Sequence, residues 1–122
     1  MKLAILSLAT LLACAPAMQV PGTEPAVTER LYFGRNIGNT LGVSDSAWTV
    51  FVADVVSARL PRGFTFWKAE GQGREPSFVL EVVHRARSAD TDAAILAIIT
   101  EYKRRFSQQA VLRVITVGRA TY

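Results

Sequence analysis

Apolar and polar positions along the chain fall into blocks of two different periods. Glu29–Ile37 alternates and is rich in β-formers, which predicts a first strand. A loop at Gly38–Gly42 follows. Ser44-Asp45-Ser46 then opens a helix, because Ser44 can cap free amides and Asp45 suits the positive end of the helix dipole. Trp48, Phe51, Val52, Val55 and Val56 fall at helical spacing and form one apolar stripe. Pro61-Arg62-Gly63 ends that connection, and strand-like segments return at Gly63–Gln72 and Ser77–His84 around a turn marked by Gly71, Gly73 and Pro76. Ser88–Asp92 starts a second helix whose apolar face is Ile95, Ile98, Ile99, Tyr102 and Phe106. Asp90 and Asp92 lie near its start and Lys103, Arg104 and Arg105 near its end, so both ends complement the dipole. Val111–Val117 reads as the last strand.

The order β-α-β-β-α-β predicts an α+β, ferredoxin-like sandwich: a four-stranded antiparallel sheet in the order 4-1-3-2, with two helices on one face. Alternation assigns the faces. Leu31, Phe33, Phe64, Phe66, Phe78, Leu80, Val82, Leu112 and Val114 are expected under the helices. The open face is then expected to carry Tyr32, Gly34, Trp67, Val79, Glu81, Val83, Val111, Arg113 and Ile115. That set is too apolar for a sheet face left in water. A second copy of the chain packed sheet to sheet, a folded-back N-terminal tether, or a ligand would cover it. Among its few polar groups, Tyr32, Glu81 and Arg113 share the face, and Glu81 and Arg113 are placed to form an ion pair across Gly34.

The N-terminus changes the picture. Met1–Ala13 has one positive charge followed by eleven uncharged residues, the length of a signal-peptide core and too short to span a bilayer. Leu11-Leu12-Ala13-Cys14 is similar to a bacterial lipobox. The expected organisation is therefore a signal peptide over 1–13, a tether over 14–28 beginning at an acylated Cys14, and the folded domain over 29–122. Simple secretion, with cleavage after Ala15-Pro16-Ala17, and a buried N-terminal helix are the alternatives. The membrane is thus an expected partner, through a lipid anchor. The formal charge of +4 is modest, and one Cys with one His can build neither an internal disulfide nor a Cys/His metal cage within a monomer. No phosphate loop or nucleophile elbow is present, and nothing calls for a cofactor.

The predicted topology gathers Arg35, Asn36, Gln72, Arg74, Glu75, Ser77 and Gln109 at one end of the sandwich. Two arginines among amides and a carboxylate can hold a carboxylate or phosphate bidentately, or can cap loop backbone. His84, near Arg85, Arg87 and Asp90 at the opposite end, has no evident nucleophile and reads as structural. Leu31-Tyr32-Phe33-Gly34-Arg35-Asn36-Ile37 looks like the first strand of an RNA-recognition motif. The third strand lacks the glycine and paired aromatics of that module, however, and an export signal removes the chain from RNA, so nucleic acid is not an expected partner.

Several runs carry a resemblance: Glu29–Arg35; Val43-Ser44-Asp45 with Trp48 and Phe51; Pro61–Thr65; Gly71-Gln72; Arg74-Glu75-Pro76-Ser77; Val83-His84; and Val111–Val114. In order and spacing they resemble a bacterial envelope family known as domain of unknown function 3574, many of whose members look like lipoproteins. Here the hairpin between the second and third strands is shorter than is usual for the family. The resemblance implies export and a shared small domain, and supplies no activity. The expected function is a non-enzymatic binding or assembly module for an envelope protein or an anionic small molecule. A small enzyme of the dimeric ferredoxin-like type, with Tyr32, Glu81 and Arg113 in a cavity between sheet faces, is the alternative.

Overall fold

A computed structural model describes residues 19–71, 74–86 and 88–122. The expected signal segment, Cys14, Gln72 and Arg87 lie outside these residues, as does the side chain of Arg74.

The first strand, β1, runs Glu24–Gly34, beginning five residues before the alternating pattern does. Its early residues pair on both sides, Ala26 with Arg85 and with Gly118. Backbone pairing needs no apolar alternation, so this stretch of the expected tether is strand. A short hairpin follows, β2 (Asn36–Ile37) and β3 (Thr40–Leu41), turning on Gly38 at φ 63°. The first helical segment is α1 (Asp45–Phe51), a π-helical turn (Val52–Val56) and α2 (Ser57–Arg59) in unbroken succession. Ser44 accepts a hydrogen bond from the Ala47 amide, as an N-cap does. The wider turn lets Phe51 and Val56, five apart, both be buried. Then come β4 (Thr65–Gly71), β5 (Arg74–Arg85), α3 (Ala89–Arg105) and β6 (Leu112–Ala120).

The main sheet has the order β4-β5-β1-β6 with antiparallel neighbours throughout, which is the arrangement the sequence predicts. The core between sheet and helices is aromatic. Trp48 stacks on Phe78 at 4.4 Å between centroids, and Tyr102 meets Phe33 edge-on at 4.7 Å. Leu31, Leu80, Ile95 and Ile98 fill the rest.

The last strand departs from expectation. Leu31 faces Arg113 across the ladder, and Tyr32 faces Leu112. Directly paired residues share a face, so Arg113 and Ile115 lie on the helix side and Leu112 and Val114 on the open side, the reverse of the predicted assignment. The physical reason is that Val111–Val117 is apolar at both parities, so alternation alone does not select a phase. Partners on the helix side select it: there Arg113 reaches the buried Glu29 and the exposed Asp92 of α3.

Candidate functional site

The open face is built in rows across the sheet. Trp67, Val79, Tyr32 and Leu112 form one row, and Thr65, Glu81, Arg30 and Val114 the next. Val79 is only 1% exposed on this uncovered face, since it lies between Trp67 and Tyr32. Around it Trp67 (38%), Val83 (47%), Leu112 (53%) and Val114 (40%) remain in solvent. The expectation of a markedly apolar open face therefore holds, with Leu112 and Val114 in place of Arg113 and Ile115.

The expected Glu81–Arg113 pair does not form, because the two side chains leave opposite faces. Glu81 instead accepts from Arg30 Nε at 2.5 Å on the open face. Arg113 donates Nε and Nη2 to the two oxygens of Glu29, at 2.5 and 3.0 Å, and Nη2 also to Asp92 at 2.6 Å. His84 Nε2 lies 3.0 Å from the same Glu29 carboxylate and Nδ1 lies 2.9 Å from the Arg85 carbonyl, which places His84 in a structural network. Burial alone would raise the Glu29 pKa, but hydrogen bonds and charge from Arg113 and His84 outweigh it and hold the carboxyl below its usual range.

At the end of the open face, a concavity of about 640 Å³ opens over Gly34, between Tyr32, Ala69, Glu75, Ser77 and Leu112. Glu75 lies across the bare backbone of Gly34: a β-carbon there would sit 2.3 Å from Glu75 Oε1. Its Oε2 accepts the Asn36 amide at 2.9 Å. From below, Tyr102 donates its hydroxyl to the Gly34 carbonyl at 2.7 Å. Burial first, and then the charge of Glu75 working against that of Arg35, pushes the Tyr102 hydroxyl pKa up, so it stays a donor.

Among its described members, the predicted rim cluster is only partly assembled. Glu75 and the Asn36 backbone meet, but the Arg35 guanidinium turns to the helix side. There Nε donates to the Val43 carbonyl at 3.0 Å and Nη2 to Asp45 at 2.8 Å, while the group lies 4.4 Å over the Phe78 ring. Arg35 is 9% exposed, so it serves the fold at this point rather than presenting charge to solvent. Ser77 Oγ makes a long 3.4 Å contact to the Glu75 carbonyl. Gln108 joins this end, donating to the Asn36 carbonyl at 2.8 Å. Asp45 and Tyr102 join the arrangement without a sequence signal that distinguishes them from a cap residue and a core aromatic. Asp45 also pairs with Lys68, whose hydrogen bond is the first cause of its lowered pKa.

A second concavity, about 520 Å³, lies at the opposite end of the strands among Arg59, Leu60, Arg62, Val82, Arg85 and Asp90. Among the described residues, no cluster of side chains suited to a metal ion occurs, and no helix is long and apolar enough to cross a membrane.

These features define a small open-faced α+β domain. Residues 28–122 match the model of a protein family of unknown function, DUF3574, and the chain is a member of it. No curated protein matches the chain. Two similar solved structures are a phage SAM lyase in the apo state and a phage SAM lyase in complex with S-methyl-5'-thioadenosine. The first is 16% identical, covers 88% of this chain and 97% of that one, and has a TM-score of 0.48. The second is also 16% identical, covers 88% and 96%, and has a TM-score of 0.51. At that identity the second likeness is one of fold alone.

Proposed function

We propose that this chain is an exported, lipid-anchored envelope protein that acts by binding, with the open sheet face as its contact surface and a second copy of the chain as the occupant. The observation that carries the reading is the set of solvent-exposed apolar side chains, Trp67, Val83, Leu112 and Val114, that share the open face around the Arg30–Glu81 pair. Such a face is stabilised by removal from water. The charges at its centre, Arg30 and Glu81, neutralise each other within one chain, so two copies can meet without like-charge repulsion. The leader-like start and Cys14 support the anchor.

Crosslinking of the full chain in membranes, followed by sizing, tests this. Wild type is expected to give a dimer in the membrane fraction. Leu112→Glu is expected to give monomer in the same fraction, and Cys14→Ser to release the chain from it. A monomeric wild type overturns the contact surface, and retention of the Cys14→Ser chain overturns the anchor.

A second reading is a small enzyme whose site lies between paired sheet faces. The concavity over Gly34 favours it, because its volume suits a small ligand and a phenol, a carboxylate and a hydroxyl converge there from Tyr32, Glu75 and Ser77. Arg113 plays no part in this version, since it serves the other face. An experimental dimer structure separates the readings: an enclosed cavity at Tyr32 supports the enzyme, and a packed, dry face removes it.

A further inference from the structure

We infer that the second concavity is a site for an anionic group, a phosphate ester carried on a small apolar body. The site exists because β5 outruns its neighbour. The last residue of β5 paired with β4 toward this end is Glu81, opposite Thr65, so Val82–Arg85 has no β4 partner. The loop Leu60–Gly63, turned by Gly63 at φ 107°, crosses that end and leaves a space of about 520 Å³. Its accessible apolar lining is Pro61, Val83 and Tyr122, over the buried Leu60 and Val82.

Three arginines, Arg59, Arg62 and Arg85, line the space, with Asp90 the one acidic side chain among the described lining residues. Arg85 has an ion-pair partner in Glu24, at 3.1 Å. Arg59 donates only to the Val55 carbonyl of its own helix, at 3.2 Å. Neither Arg59 nor Arg62 has a carboxylate partner among the described residues. His84 also lines the space, but both of its ring nitrogens already face oxygens, from Glu29 and from Arg85. Like charges gathered around a void repel one another, and a bound anion reverses that cost. Guanidinium forks match phosphate oxygens bidentately, and the apolar wall gives the remainder of the ligand a surface. The site lies at the opposite end of the strands from Arg35 and Glu75; it shares Val83 with the sheet-face contact, but its arginines are not part of that contact, so arginine variants test it separately.

Titration calorimetry of the full chain with phenyl phosphate, inorganic phosphate and benzylammonium tests the site. Phenyl phosphate is expected to bind saturably, inorganic phosphate more weakly for want of the apolar body, and benzylammonium not at all. Arg59→Gln and Arg62→Gln are each expected to weaken phenyl phosphate binding about tenfold or more, the usual effect of losing a hydrogen bond to a charged group. Arg104→Gln, far from the cavity and paired with Glu101, is expected to leave it unchanged. Arg59 and Arg62 are exposed, so their variants are expected to keep the wild-type circular dichroism. No saturable phenyl phosphate binding at millimolar concentration, equal binding of benzylammonium, or an equal loss in Arg104→Gln overturns the inference.

Discussion

Gly34 shows how much one residue without a side chain can organise. The carboxylate of Glu75 occupies the space a β-carbon would need, the Asn36 amide holds that carboxylate, and the Tyr102 hydroxyl holds the Gly34 carbonyl from the other side. In Gly34→Ala the carboxylate must swing away, because it is the free end of a flexible side chain, and the Asn36 amide loses its partner. The expected cost is about 1 kcal/mol, the net worth of one such hydrogen bond. In a Glu75→Ala background there is no carboxylate to displace, so adding Gly34→Ala is expected to cost much less. Urea denaturation of the four proteins measures this. Equal costs in both backgrounds would show that Glu75 is not what the glycine accommodates. The same scale decides Arg35. A sequence reading can see an arginine after a glycine at a strand end, but not that Phe78, Val43 and Asp45 come from three other segments to receive it.

At the scale of elements, the helices were the most legible part of the sequence. Spacing places Trp48, Phe51, Val52, Val55 and Val56 on one face; four are buried and Val52 is partly buried against the core. It also placed Ile95, Ile98 and Tyr102 inside. Ser44 fills the capping position that its place before Asp45 suggests. Ser44→Ala is expected to destabilise the domain by about 1 kcal/mol, with Ser44→Gly milder, read from thermal denaturation. If Ser44→Ala matched wild type, the cap would be idle. The strands were legible in existence and order, and one was not legible in phase. A helix stripe has a polar side to contrast with, whereas Val111–Val117 offers apolar residues at both parities. One slip of phase moves every side chain of a strand to the other face. That slip is why Arg113 was expected beside Glu81 and is found beside Glu29. The π-helical turn was not legible either, because a widened turn keeps the same apolar residues inside.

At the scale of the whole molecule, the Glu29 network joins β1, β5, β6 and α3 through one carboxylate that is 2% exposed. Its folded pKa lies below the ordinary 4.5, so the ionised form is favoured by folding. The stability it contributes is fully present above about pH 4.5 and is lost as pH falls through the lowered folded value. Glu29→Gln is expected to cost about 2–3 kcal/mol at neutral pH. That is less than the loss of a partner from a fully buried pair, because Arg113 keeps Asp92. The variant is also expected to show a flatter acid limb. Chemical denaturation across pH 3–7 checks both, and parallel acid limbs in the two proteins would remove Glu29 from this role.

The sequence by itself determined the element order, the sheet topology and the apolar stripes, because these follow from periods of two and of about 3.6 residues that local chemistry imposes. It also carried the runs that mark the family. Only the tertiary structure decided which arginines face solvent and which hold the fold together. A charge is buried or free according to the partners that distant segments bring within about 3 Å, and no local pattern encodes that meeting. Thus Arg35 and Arg113 are bound within the domain, while Arg59 and Arg62 gather at an edge formed only because one strand extends past its neighbour.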